Sequence, residues 1–185
     1  MPLSWRGEPG GWIDGARAVR SPNHDDRPPG AAIELLVVHH ISLPPGRFSG
    51  DAVERLFTNT LDPAAHPSFA PLRELRVAAH FLVRRRGELV QFVGTDLRAW
   101  HAGASSFLGR ERCNDFSIGI ELEGTDDVPY EAAQYATAAA VIDALLRAYG
   151  GLSASRIVGH SDIAPGRKTD PGPSFDWARM RALLA

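Results

Sequence analysis

The stretch "FSIGIELEG", residues 116–124, decides how the chain is read. Side chains in a strand alternate between two faces, so Phe116, Ile118, Ile120 and Leu122 share one side and Ser117, Gly119, Glu121 and Glu123 the other. The first face is core. The second is small, small, then acidic: either a solvated surface or a place where something lies against the sheet beside a carboxylate. A second short apolar run, "IELLVVHHI" at 33–41, is rich in β-branched residues and reads as a buried strand that ends in two histidines.

The remaining segments fit around these two strands. "DAVERLFTNT" begins a helix at about Asp51, and "AAHFLVRRRGELVQFV" (78–93) reads as a hairpin turning at Gly87. The most regular helix spans Tyr130 to Tyr149, with apolar residues at 138, 141, 142, 145, 146 and 149 on one stripe. Pro129 suits its first turn, and Gly150 and Gly151 end it. "SRIVGH" (155–160) is a short strand, and Ser174 or Asp176 caps a last helix running through Leu184. Residues 1–30 are rich in Pro, Gly and Arg and read as an irregular arm, leaving residues 31–185 as one domain. Strands alternating with helices, plus one hairpin, predict an α/β (α+β) fold with a central mixed sheet covered by helices.

The 185 residues, 44% apolar and 23% charged, are enough for one domain with a sizeable core. Twenty Lys and Arg against 22 Asp and Glu give a net charge of −2, so no nucleic-acid partner is expected. Arg84, Arg85 and Arg86 form the one basic run, read as a solvated turn. A single cysteine, Cys113, excludes an internal disulfide and a cysteine-rich zinc cluster, and reads as a small packing residue. No apolar run approaches the roughly 20 residues that span a bilayer. The first residues lack the basic start and apolar stretch of a secretory signal. The expectation is a cytoplasmic protein without a membrane partner. Nothing in the sequence sets an oligomeric state, and a monomer is the default.

The chemistry centres on histidine. Of His24, His39, His40, His66, His80, His101 and His160, the pair at 39 and 40 ends an apolar strand, where polar groups need partners or a metal. Alternation allows only one of the two to serve a given site, and the pattern does not say which. The segment "GHSDIAPGRKTDPGPSFDW", 159–177, reads as neither helix nor strand, its prolines stiffening a loop crowded with ionisable groups. His160 and Asp170 on this loop could both turn toward a strand-end histidine. Two imidazoles and a carboxylate make a hydrolytic zinc site with a fourth place for water, whose pKa zinc lowers to about 7. A carboxylate such as Glu121 could then shuttle a proton, and a cation such as Lys168 could stabilise an oxyanion. The spacing is not the HExxH helix of many metalloproteases, so spacing by itself carries little.

Four stretches taken together are more specific: "LLVVHHISLPPG" (35–46), "LFTNTLDPAAHPSF" (56–69), "RAWHAGASSFLGRERCNDFSIGIELEGTD" (98–126) and "GHSDIAPGRKTDPGPSFDWAR" (159–179). The chain resembles the AmpD-type N-acetylmuramoyl-L-alanine amidases, of the zinc amidase superfamily that includes phage amidases and peptidoglycan recognition proteins. The resemblance implies one zinc ion per chain on His39, His160 and Asp170, with Glu121 as catalytic acid/base and Lys168 stabilising the tetrahedral intermediate. It implies that Trp100 and His101 border the substrate and that Arg76 and Arg112 suit the carboxylates of a peptide stem. Asp162 would hold the loop rather than bind metal, and His66 and His80 would support the site. The implied substrate is a 1,6-anhydro-muropeptide from cell-wall recycling, cut between the lactyl group of muramic acid and L-alanine. His40 departs from the Asn or Tyr common at that position and should face away from His39; Ser161 and Gly166 differ too, without evident consequence. Two rival readings remain. A recognition module that binds muropeptide without cutting it would lack a zinc ligand, and a zinc peptidase acting within the stem would differ in its products.

Overall fold

The computed structural model describes residues 4–5 and 10–185. Short strands β1 (Ser4–Trp5), β2 (Ile13–Asp14), β3 (Arg17–Ala18) and β4 (His24–Asp26) precede the long strand β5 (Leu35–Ile41) and helix α1 (Ala52–Phe57). Next come the hairpin of β6 (Phe81–Val83) and β7 (Leu89–Gln91), strand β8 (Leu97–Ala99), the small pair β9 (Ser106–Phe107) and β10 (Arg110–Glu111), and the long strand β11 (Ser117–Glu123). Helix α2 (Ala132–Ala148), strand β12 (Ile157–Gly159), the one-turn helix α3 (His160–Ile163) and helix α4 (Trp177–Leu183) complete the order.

The main sheet runs β12-β5-β11-β6-β7-β3 and is parallel throughout except at the β6/β7 hairpin, the mixed sheet expected. Its register matters most at the centre. His39 stands opposite Glu121, and Val38 opposite Gly159, so β5, β11 and β12 end side by side. The crevice at the carboxyl ends of parallel strands is where such sheets place their ligands.

Two faces are buried. Leu36, Val38, Ile118, Ile120 and Leu122 pack with Tyr135, Ala138, Val141, Ile142 and Leu145 of α2 and with Met180 of α4. The opposite face carries two smaller clusters, one around Phe57, Phe69 and Phe92, the other of Leu35, Val37, Ala102, Cys113, Phe116 and Ile163. Phe116 therefore departs from the alternation read for its strand. It lies just before β11, directly after the 3-10 turn Cys113–Asp115, where period two does not yet hold.

Local details correct other expectations. Helix α2 starts at Ala132 with Glu131 as its cap, whose N–H donates to the Gln134 side chain at 3.1 Å; Pro129 lies outside the first turn. Asp176, not Ser174, caps α4, accepting from the Arg179 N–H at 2.8 Å. Of the basic run only Arg86 is the exposed turn residue expected. Arg84 pairs with Glu54 and with buried Glu123, and Arg85 pairs with Glu131 while lying over the Phe48 ring.

The segment read as an irregular arm also contributes strands: β3 extends the sheet edge along β7, and β4 pairs with β8. Its backbone finds partners that composition does not reveal. The Ile13 N–H donates to the Gln91 side chain, whose amide donates in turn to the Gly11 carbonyl. Arg27 reaches inward to donate to the carbonyls of Thr95, Asn114, Asp115 and Ser117. Burial lowers its guanidinium pKa to about 10. Among the described residues no helix is long and apolar enough to cross a membrane.

Candidate metal centre

Strand alternation turns His39 toward the face of Leu35 and Val37, and His40 toward the other, where it meets Asp126 at 3.0 Å. His160 opens α3 directly after β12. The loop expected there is thus a helical turn at its start, because the Asp162 carboxylate accepts the Gly159 N–H at 2.7 Å and caps it. The far end of the loop is tied back by the Ser161 N–H donating to the Asp170 carbonyl and by the Tyr130 hydroxyl donating to the Pro171 carbonyl. These tethers bring Asp170 against the strand ends.

His39 Nδ1, His160 Nδ1 and Asp170 Oδ2 lie 3.0 Å from one another, all three, and all three residues are buried. Hydrogen bonds do not satisfy this triangle. The second nitrogen of His160, Nε2, donates to the Ala102 carbonyl at 3.1 Å, which leaves Nδ1 to offer a lone pair. That lone pair faces a carboxylate oxygen, an arrangement that favours a cation between them. Two imidazole nitrogens and one carboxylate oxygen converging in a cleft suit zinc with an open fourth position. Burial lowers the His39 pKa to about 4, opposed by the neighbouring Asp170 carboxylate. Burial by itself would raise Asp170, but the adjoining His160 and His39 imidazoles outweigh it and hold the carboxyl below the usual range.

Glu121 stands beside the triangle on the same face of β11. It is 8% exposed, and its buried Oε2 has no hydrogen-bond partner. Burial pushes its pKa well above the carboxylate range; Asp170 adds to the shift and Lys168 opposes it. A buried carboxyl with one free oxygen and a raised pKa is suited to carrying a proton in a reaction. Glu123, the other acid of the strand, is held by Arg84 at 3.1 Å and by the Arg85 N–H at 3.0 Å.

A cleft of about 510 Å³ opens above these groups. Of the residues singled out in the sequence, His39, His160, Asp170, Glu121, Lys168, Trp100, His101 and Arg76 all line it, with Leu72, Leu75 and Val77 giving an apolar wall. Arg112 does not. Its backbone is left-handed, its side chain is largely exposed, and it pairs with Asp115 at 3.3 Å, in a shallow depression lined also by Ser105 and Glu111. His80 is buried behind the site, and His66 accepts the Ser68 N–H to start the turn that carries Leu72. Cys113 is a buried free thiol.

Two residues of the site were not singled out. Arg167 lines the cleft and donates to the carbonyls of Ala102 and Ala104 at 2.7 and 2.6 Å. Asn114 accepts the N–H groups of His101 and Ala102 at 3.1 and 2.8 Å. No spacing announces either, since both act by holding backbone from a distant loop.

The sequence profile of a family described as N-acetylmuramoyl-L-alanine amidase matches residues 29–173. The 1,6-anhydro-N-acetylmuramyl-L-alanine amidase AmpD of Escherichia coli (strain K12) is 60% identical over 175 residues, covering 95% of each chain. The protein of the same description from Haemophilus influenzae is 48% identical over 169 residues, 91% of this chain and 92% of that one. Among solved structures, a selenomethionine AmpD derivative superposes with a TM-score of 0.93 at 60% identity, covering 95% of this chain and 98% of that one. AmpDh3 from Pseudomonas aeruginosa, in complex with anhydromuramic pentapeptide, is 30% identical with a TM-score of 0.61, covering 84% of this chain and 61% of that one.

Proposed function

The chain belongs to the N-acetylmuramoyl-L-alanine amidase family, and from that premise we propose how its cleft works. The reaction is hydrolysis of the amide joining the lactyl group of 1,6-anhydro-N-acetylmuramic acid to the L-alanine of the stem peptide, a step of peptidoglycan recycling. The observation that carries the assignment of residues is the buried triangle of His39 Nδ1, His160 Nδ1 and Asp170 Oδ2, 3.0 Å on each side, beside the unpartnered Glu121 oxygen.

Those three atoms would hold one zinc ion per chain. Bound in such a site, zinc polarises a carbonyl and lowers the pKa of a water to about 7. Glu121 takes the proton of the attacking water onto its free oxygen and returns it to the departing alanine nitrogen. Lys168, at the cleft wall, offers its ammonium to the charge that develops on the carbonyl oxygen. Trp100, His101 and Arg76 bound the substrate, with Arg76 toward the carboxylates of the stem; Arg112, outside the cleft, has no part in this assignment.

The substrate is an anhydro-muropeptide, and residues 31–185 act as the amidase domain, with residues 10–30 of the preceding segment joined to its sheet. Every group in the assignment comes from one chain, so a monomer suffices. The proposed compartment is the cytoplasm, in keeping with a lone, unpaired Cys113. The test is mass spectrometry of anhydro-muropeptide incubated with the purified protein, with and without a chelator. Free stem peptide and anhydro-sugar, lost on chelation and restored by zinc, are expected. Cleavage inside the peptide, or turnover indifferent to the chelator, overturns the proposal.

A further inference from the structure

The two histidines of the triangle are held by one short piece of chain. His39 turns its second nitrogen, Nε2, to His101 Nδ1 at 3.0 Å, while His160 turns its own Nε2 to the carbonyl of the next residue, Ala102, at 3.1 Å. The backbone N–H groups of His101 and Ala102 both end on Asn114 Oδ1, which clamps the pair in place. On its far side the His101 ring meets Ser117 Oγ at 3.2 Å.

The seat of this ring is built for it. Gly119 lies beneath, and a Cβ there would stand 2.6 Å from the ring Cγ and Nδ1. The Gly119 peptide is itself fixed by His80, whose Nδ1 accepts the Gly119 N–H while the His80 N–H donates to the Gly119 carbonyl, each at 3.1 Å. The small face of β11 read in the sequence is therefore occupied, and by this ring.

We infer that His101 is a positioning residue for the metal: its Nδ1 accepts the Nε2 proton of His39 and so holds His39 with Nδ1 bare and aimed at the triangle. The order of protons follows from the contacts. If His39 binds through Nδ1, its proton sits on Nε2 and must be donated; His101 Nδ1 is the acceptor; the proton of His101 then sits on its own Nε2, toward Ser117 Oγ. Metal-bound histidines commonly use a carboxylate or a backbone carbonyl for this task. Here one ligand has the carbonyl of Ala102 and the other has an imidazole. The inference rests on the zinc assignment above.

The experiment is competition for zinc between the purified full-length protein and a chromogenic chelator, for the parent, His101→Ala and His101→Asn. The alanine variant should bind zinc about 10–100-fold more weakly. The asparagine variant, whose amide oxygen can stand where Nδ1 stood, should recover most of the loss. Thermal unfolding of the metal-free variants checks the fold separately. If His101 only borders the substrate, the alanine variant will raise KM and leave zinc affinity within twofold of the parent, and that result overturns the inference. Should the alanine variant not fold, nitrogen-15 NMR of the zinc-loaded parent decides: a proton on His101 Nε2 supports the inference, and one on Nδ1 refutes it. A parent chain that takes up no zinc would overturn the metal assignment itself, and this inference with it.

Discussion

Glu121→Gln separates function from stability at a single atom. In the wild-type fold this carboxyl is buried, with Oε2 unpartnered and Asp170 nearby, so its ionised form is disfavoured and its pKa lies well above the ordinary value of 4.5. The sign for stability follows from linkage. A carboxyl whose folded pKa is raised keeps its proton to higher pH than in the unfolded chain, so it costs stability progressively as pH climbs above 4.5. Glutamine has the same shape and no charge to lose. At pH 7 the metal-free variant should therefore be the more stable, by up to about 1.4 kcal/mol for each pH unit above 4.5 over which the folded carboxyl keeps its proton. In a protein of this size 1 kcal/mol is about 2–4 °C in Tm. Catalysis should move the other way. Glutamine can neither take nor return a proton, so kcat should drop by about 10²–10⁴-fold with zinc retained. Calorimetry on the metal-free protein reads the first effect, and turnover of anhydro-muropeptide by the zinc-loaded protein reads the second. A variant less stable than the parent, or one within tenfold of its kcat, would refute the reasoning about this oxygen.

Three further outcomes are expected. His160→Ala should lose stoichiometric zinc and activity together, measured by metal analysis of the purified variant; retained zinc would remove His160 from the ligand set. Arg84→Ala should cost up to about 3 kcal/mol, read from urea midpoints, because it leaves buried Glu123 with the Arg85 N–H but no cation; an unchanged midpoint would show that Glu123 draws little from this pair. His80 gives a pH signature: burial lowers its pKa to about 3, with Arg27 adding to the shift, and its Nδ1 is already occupied by the Gly119 N–H. The unfolded chain takes up a proton at His80 below about pH 6.5 while the folded chain does not, so stability present above that pH falls by up to about 1.4 kcal/mol per unit on the way to 3. Urea midpoints at pH 7 and 5 should therefore diverge less in His80→Gln than in the parent, and equal divergence would rule out this origin.

What the sequence made legible was local. Alternation along "FSIGIELEG" sorted Ile118, Ile120 and Leu122 to the core and Glu121 to the site, and the same rule separated His39 from His40. The rest depended on pairings across long stretches of chain. Which histidine faces Glu121 is fixed by the parallel register of β5 with β11, and no pattern inside either strand encodes it. Arg112 and Arg76 looked alike as exposed cations in the sequence; only the fold puts one in the cleft and the other beyond it. Asn114 and Arg167 escaped notice because their partners are main-chain atoms, which every residue has. The prolines at 165, 171 and 173 suggested a segment without helix, yet the four residues His160–Ile163 before them form one capped helical turn.

Arg27 has a consequence for the order of events during synthesis. Its guanidinium accounts for carbonyls at 95, 114, 115 and 117, residues that leave the ribosome some 68 to 90 positions later. The Gly11 carbonyl waits similarly for Gln91, 80 positions on. The segment that holds Gly11 and Arg27 thus gains these partners only after a long further stretch of chain has been made. Its docking still comes before the reaction centre, because His39 waits for Asp170, 131 positions on.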